Sequence, residues 1–80
     1  MAKIKMNEKQ EREFSRIVNN CFFYLNEGDK VKFIWEVGAL RGFCYGLDVA
    51  NVKQDEYMNQ TFFYLIEKQN EILKELTKKK

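Results

Sequence analysis

The stretch FIWEVGALRGFCYGL, residues 33–47, decides the fold because it is apolar on two sides of a helix. At about 100° per residue, one side carries a stripe of large apolar residues at helical spacing: Phe33, Val37, Leu40, Cys44 and Leu47. Another side carries small residues four apart with larger ones beside them: Gly38, Gly42, Gly46 and Ala50, flanked by Trp35, Ala39 and Phe43. A helix that is apolar on two sides is expected to be covered from two directions.

Breaks on either side of this stretch divide the chain into three helices. Gly28 and Asp29 have the pattern of a helix-ending glycine followed by an N-cap, which predicts a first helix at 8–27 and a second at 30–50. Asn51 tolerates the left-handed conformation that ends helices, and a third helix is expected at 54–77. The predicted fold class is all-α, an antiparallel three-helix bundle in one domain spanning residues 1–80.

Two local features refine this division. Asn7 and Gln10 have the spacing of a capping box, in which each side chain accepts a hydrogen bond from the other residue's backbone, so the first helix is expected to begin between them. Gln69 interrupts the apolar face of the third helix, at a position where a hydrophobic residue would be expected.

The size of the chain favours self-association. A chain of 80 residues buries only about 60% of the surface that its unfolded form exposes, so its core is marginal. Domains of this size usually need a disulfide, a metal or a partner chain. The sequence has no His, and its two Cys are too few for a tetrahedral zinc site. Cys21 and Cys44 lie in apolar helical runs and are expected to be free buried thiols. We therefore expect no metal or cofactor, and a homo-oligomer, with a dimer favoured.

The charge distribution does not favour nucleic acid as the main partner. The formal net charge is +2, from 14 basic and 12 acidic residues, whereas nucleic-acid-binding domains usually carry a larger basic excess on one face. The basic ends, Lys3, Lys5 and Lys78–Lys80, are typical of helix termini. No apolar run is long enough to cross a membrane, and no secretory signal follows Met1. These features favour the cytoplasm.

No pattern in the sequence predicts catalysis. Arg41, Tyr45 and Asp48 lie along one side of the second helix, but general acid–base chemistry needs a second positioned group and a pocket. Their spacing is that of a surface ion pair. Phosphate-binding, hydrolase-elbow and calcium-loop patterns are absent from the sequence. We expect no catalytic residue and no enzyme activity.

The candidate interface residues lie on the small-residue side of the second helix and at two aromatic positions. Each glycine costs roughly 1 kcal/mol against alanine in a helix interior, and close approach of another backbone would offset that cost. The backbone that approaches the glycines would belong either to another helix of the same chain or to a partner chain. A small-ligand pocket beside Trp35 is a third alternative. Two further Phe point away from the main apolar stripes, and interfaces favour aromatic residues. The predicted interface residues are Phe23, Trp35, Gly38, Gly42, Phe43, Gly46 and Phe63.

A short internal repeat, which we call the internal echo, contains both Phe23 and Phe63. NNCFFYLNE, residues 19–27, recurs forty residues later as NQTFFYLIE, residues 59–67, with six of nine positions identical. Duplication of a helical hairpin and chance similarity between aromatic-rich helices both explain the echo.

The stretch GALRGFCYGL, residues 38–47, followed by Ala50-Asn51-Val52 and Asp55-Glu56-Tyr57, resembles a pattern in small helical proteins of phages and mobile elements. In those proteins an RGF helix leads through a short turn ending in Val or Ile to an acidic helix start. Here Lys53 stands where a Ser or Thr N-cap would be expected. The group includes regulators and anti-defence inhibitors, anti-CRISPR proteins among them. The resemblance implies an inhibitory or regulatory role and transfers no site residues.

We therefore expect a non-enzymatic protein-binding module, an inhibitor or regulator encoded by a phage or mobile element, that forms a homodimer and binds a protein partner. The first alternative is a nucleic-acid-binding regulator. The second is a small-ligand binder that takes a nucleotide signal at a subunit interface.

Overall fold

The computed structural model describes residues 4–78 and shows three helices, each antiparallel to the one before it. The elements are β1 (Ile4–Lys5), α1 (Glu8–Glu27), α2 (Lys30–Val49), β2 (Val52–Lys53) and α3 (Glu56–Lys78). The helices have 20, 20 and 23 residues, so the prediction of an all-α, three-helix fold is confirmed. Lys3, Lys79 and Lys80, which belong to the predicted basic ends, lie outside the described residues.

The first two helix boundaries follow from local capping. The Gln10 amide donates to Asn7 Oδ1 at 2.8 Å, and the Asn7 amide donates to Gln10 Oε1 at 2.9 Å, so the predicted capping box fixes the start of α1. Gly28 ends α1 with a φ of 75°, in the left-handed region that favours glycine. Asp29 begins α2 by accepting a hydrogen bond from the Lys32 amide at 3.1 Å.

The turn between α2 and α3 differs from the sequence prediction. α2 ends at Val49, one residue earlier than expected, and Asn51 adopts the expected left-handed φ of 60°. α3 begins at Glu56, two residues later than expected, because Asp55 caps it by accepting a hydrogen bond from the Met58 amide at 2.8 Å. Lys53, which stands where the resembled pattern has an N-cap, belongs to β2.

A short parallel strand pair joins the start of the chain to this turn. Ile4 pairs with Val52 and Lys5 with Lys53, and the Ile4 amide donates to the Asn51 carbonyl at 2.9 Å. Val52 is buried, whereas its partner Ile4 is exposed. The sequence gives no signal of strands two residues long.

α2 is the middle helix of the bundle. Phe14 of α1 lies against Phe43 near the end of α2, with ring centroids 6.5 Å apart, and Lys30 at the start of α2 pairs with Glu75 near the end of α3 at 3.5 Å. The predicted apolar stripe of α2 is fully covered by these two neighbours, and we call it the inner stripe: Phe33, Val37, Leu40, Cys44 and Leu47. The partners from the other helices are Phe14, Ile17, Val18 and Cys21 of α1 and Met58 and Leu65 of α3.

Gln69 is the buried polar residue of this core. Its Nε2 donates to the Ile34 carbonyl of α2 at 3.3 Å, so the amide that interrupts the α3 stripe is satisfied across the helix contact. A hydrophobic residue at position 69 could not form this hydrogen bond between α3 and α2.

Burial raises the pKa of both thiols. The pKa of Cys21 rises to about 12, chiefly through burial and also through the negative charge of Glu36, and burial raises the pKa of Cys44 to about 11. Both cysteines are unpaired, as expected. The folded chain therefore holds these two protons more tightly than the unfolded chain, whose thiols ionise near pH 9.

We expect the free energy of unfolding to fall as the pH rises above about 9, by up to about 1.4 kcal/mol per pH unit for each cysteine. Below that pH both thiols are protonated in both states, and their contribution is constant. Urea unfolding at pH 8 and pH 10 measures the loss. A C21A/C44A double variant should lose less stability over the same interval, and an equal loss in the two proteins would contradict the assignment to the thiols.

Candidate protein-binding face

The side of α2 opposite the inner stripe is exposed, and we call it the outer face. Its large side chains are 65–77% exposed: Val31, Trp35, Tyr45 and Val49. Between them lie small residues that are also exposed: Gly38, Ala39, Gly42 and Gly46. None of these eight residues is charged, and the charged residues of α2 project from its flanks.

The glycines of the outer face open onto empty space within the chain. A Cβ built on Gly38, Gly42 or Gly46 meets no atom within 4 Å in the part of the molecule that the structure describes. The alternative in which this side packs tightly on α1 or α3 of the same chain is therefore wrong. Both neighbouring helices lie on the inner stripe, whose large apolar side chains they bury. The cost of three helical glycines is not offset within the monomer.

Trp35 forms one wall of a groove between α1 and α2. The groove has a volume of about 480 Å³ and is lined by Tyr24, Val31, Lys32, Trp35 and Glu36. Lys32 Nζ lies 5.6 Å from the centroid of the Tyr24 ring, within the range of a cation–π contact. Phe23 meets Tyr24 edge to face, with centroids 5.3 Å apart. Phe23 therefore contacts Tyr24, which lines this groove, but Phe23 itself does not line it.

Phe43 and Phe63 lie away from the outer face. Phe43 is half-buried against Phe14, so the structure places it in the contact between α1 and α2. Phe63 is 67% exposed on α3 and packs on its chain neighbour Phe62, with centroids 5.9 Å apart. Of the seven predicted interface residues, the structure brings together four on α2 and places the other three, Phe23, Phe43 and Phe63, outside the outer face.

The two segments of the internal echo meet through residues that were not singled out. Phe22 of α1 stacks on Tyr64 of α3, with centroids 6.0 Å apart and rings inclined by 26°. The repeated FFY sequence contains both residues of this contact. The sequence does not show which sides of α1 and α3 face each other, so it did not predict the contact.

A second groove lies on the α1 side of Phe43 and carries mixed charge. It has a volume of about 420 Å³, and its wall includes Lys9, Arg12, Glu13 and Arg16. Arg16 Nε donates to Glu13 Oε1 at 2.6 Å, and this hydrogen bond holds the pKa of the Glu13 carboxyl below its usual range. Both side chains lie at the surface, where solvent screens the pair and limits its contribution to stability.

Arg41, Tyr45 and Asp48 are exposed on α2 and line none of the grooves described above. Within residues 4–78, no group of three or more His, Cys, Asp or Glu side chains is placed to hold a metal ion.

No helix within residues 4–78 combines the length and the apolar character needed to cross a membrane. The resemblance to phage and mobile-element proteins, based on residues 38–57, stays a prediction. Comparison of the chain with protein-family models, curated proteins and solved structures found no match.

Proposed function

We propose that this protein is a non-enzymatic binding module that acts by docking another polypeptide on the outer face of α2. The observation that carries the proposal is the exposure of Val31, Trp35, Tyr45 and Val49 on one uncharged helix face, with three glycines between them. Aromatic and aliphatic side chains exposed together in this way are typical of binding sites, whereas single exposed hydrophobic residues are not. The glycines let a second backbone approach closely.

The chemistry of the face favours protein over nucleic acid or nucleotide. Nucleic-acid interfaces depend on cations that neutralise phosphates, and the outer face carries none. The groove beside Trp35 contains one cation, Lys32, and one carboxylate, Glu36, so its charges do not favour an anionic nucleotide. An uncharged face of aromatic, aliphatic and small residues instead fits a helix with a similar surface.

We further propose that the module inhibits or regulates its partner in the cytoplasm of a host cell. This part of the proposal is supported by the resemblance of residues 38–57 to small helical proteins of phages and mobile elements. An 80-residue chain without a proposed catalytic group can act on a larger protein by occupying one of its surfaces. The proposal needs no cofactor.

The test is capture of host proteins by the immobilised chain, followed by mass spectrometry. The wild type is compared with a Gly42→Leu variant, in which a large side chain fills the centre of the outer face. An Asn70→Leu variant is the matched control, because it introduces the same residue at an exposed position of α3. We expect the wild type and the control to retain a common protein that the Gly42→Leu variant loses.

Circular dichroism must show equal helix content in the three proteins. A captured protein that binds all three equally would contradict docking on the outer face. Capture of nothing by the wild type, under conditions where it is folded, would contradict the binding role itself.

A further inference from the structure

The residues of the outer face of α2 are arranged symmetrically about position 40. Six of its eight residues form two series, Val31, Trp35 and Gly38 in one direction and Val49, Tyr45 and Gly42 in the other. Each member of the first group lies as far before position 40 as its counterpart lies after it. All six residues are exposed. Read from either end, the face therefore presents an aliphatic residue, then an aromatic residue, then a glycine.

An interface between two identical chains related by a two-fold axis requires this kind of arrangement. In such an interface one patch is used by both copies, so residue i meets residue j while j meets i. We propose that the outer face is occupied by α2 of a second copy of this chain, running antiparallel, with the two-fold axis near position 40. This inference rests on the proposed function and concerns the same face: the second copy covers the face in the free protein, and a host partner must displace that copy in order to bind there.

The sizes of the side chains fit two helices that cross at this axis. Packed helices approach most closely at their crossing point and diverge toward both ends. Gly38 and Gly42 lie at the crossing point, where a Cβ would hold the backbones apart. Trp35 and Tyr45 lie one turn further out, and Val31 and Val49 lie beyond them, where the gap is wider.

The register also gives the largest side chain a place to pack. In the antiparallel arrangement Trp35 of one copy comes level with Tyr45 and Gly46 of the other, on the flank where Gly46 leaves space. This would cover the 77% of Trp35 that is exposed in the monomer. Gly46, the third glycine of α2, therefore makes room for Trp35 of the other copy.

The available area is close to that of a stable dimer. The four large side chains and the exposed small residues between them present roughly 650 Å² on each copy. Standard stable interfaces bury about 800 Å² per partner. A charged partner would leave its charges unpaired on this face, whereas a second copy presents a matching uncharged surface.

The first test is the oligomeric state of the wild-type chain by sedimentation equilibrium at concentrations up to about 1 mM, a range that detects even weak association. We expect a monomer–dimer equilibrium. Gly42→Leu should raise the dissociation constant by about tenfold to 100-fold, because the added side chain blocks the crossing point. Asn70→Leu should leave the constant unchanged. A folded wild-type chain that stays monomeric, or a dimer indifferent to Gly42→Leu, would overturn the proposal.

The second test is the direction of the two helices. Ala50→Cys places a spin label at the exposed end of α2, outside the face, while the native thiols are buried. In an antiparallel dimer centred near position 40, the two labels lie about 30 Å apart along the helix axes, a separation that double electron–electron resonance measures. Labels much closer together would show a parallel pair and overturn the arrangement.

Failure of the dimer and failure of the partner-binding proposal have different signatures. A monomeric wild type that still captures a host protein through Gly42 would overturn the dimer alone. A dimer that dissociates in the Gly42→Leu variant, with no host protein captured by either form, would overturn partner binding and support the dimer.

Discussion

Replacing Gly38, Gly42 and Gly46 together by alanine is expected to make the folded monomer more stable and the dimer weaker. Each substitution removes the flexibility of a helical glycine in the unfolded state, which is a gain of about 0.5–1 kcal/mol, so the three together give about 1.5–3 kcal/mol. The added methyl groups meet nothing within 4 Å in the described part of the monomer, so no clash opposes this gain. In the dimer the same methyl groups face a second backbone.

Two measurements on one variant separate these effects. Urea unfolding at a concentration well below that of dimer formation reports the monomer, and sedimentation equilibrium at high concentration reports the association. A variant that gains stability and still dimerises as the wild type does would show that the glycines have no role in association. A variant that loses stability as a monomer would contradict the open surroundings of the three glycines.

Phe33→Ala is expected to destabilise the fold by about 3–5 kcal/mol, the usual range for removal of a fully buried aromatic side chain. Phe33 has no exposed surface and lies in the inner stripe, where α1 and α3 both cover it. Small domains have a free energy of unfolding of about 5 kcal/mol or a little more, so this one change removes most of it. The variant should be largely unfolded at 37 °C.

Phe23→Ala is the matched control, because it removes the same side chain from a position that is 57% exposed. We expect a change in stability within about 0.5 kcal/mol. Thermal unfolding followed by circular dichroism compares the two variants at low protein concentration. Similar losses for Phe23→Ala and Phe33→Ala would contradict the assignment of the inner and outer sides of the bundle.

The parts of the fold that were predictable from the sequence depend on residues close together in the chain. Asn7 with Gln10, Gly28 with Asp29, and the left-handed Asn51 each fix a helix end through local hydrogen bonds or local backbone preference. Such signals are the same whichever way the helices later pack. The helices and their order therefore followed from the sequence.

The parts that were not predictable depend on residues far apart in the chain. The β1–β2 pairing has no alternating pattern because each strand is two residues long. The burial of Gln69 depends on the Ile34 carbonyl reaching it from another helix. Both sides of α2 are apolar, so periodicity could not decide which side α1 and α3 would cover. The exposure of the glycines, and with it the symmetry of the outer face, became visible only once those helices were placed.

The strand pair also bears on the order in which the molecule assembles. Ile4 and Val52 are roughly fifty residues apart, and bringing them together while the intervening chain is flexible carries a substantial loss of entropy. Docking of α1 on α2 shortens that effective loop, since both helices lie between the two strands. The β1–β2 pair should therefore form after α1 has packed on α2. In local fluctuations of the native state, it should open before these two helices separate.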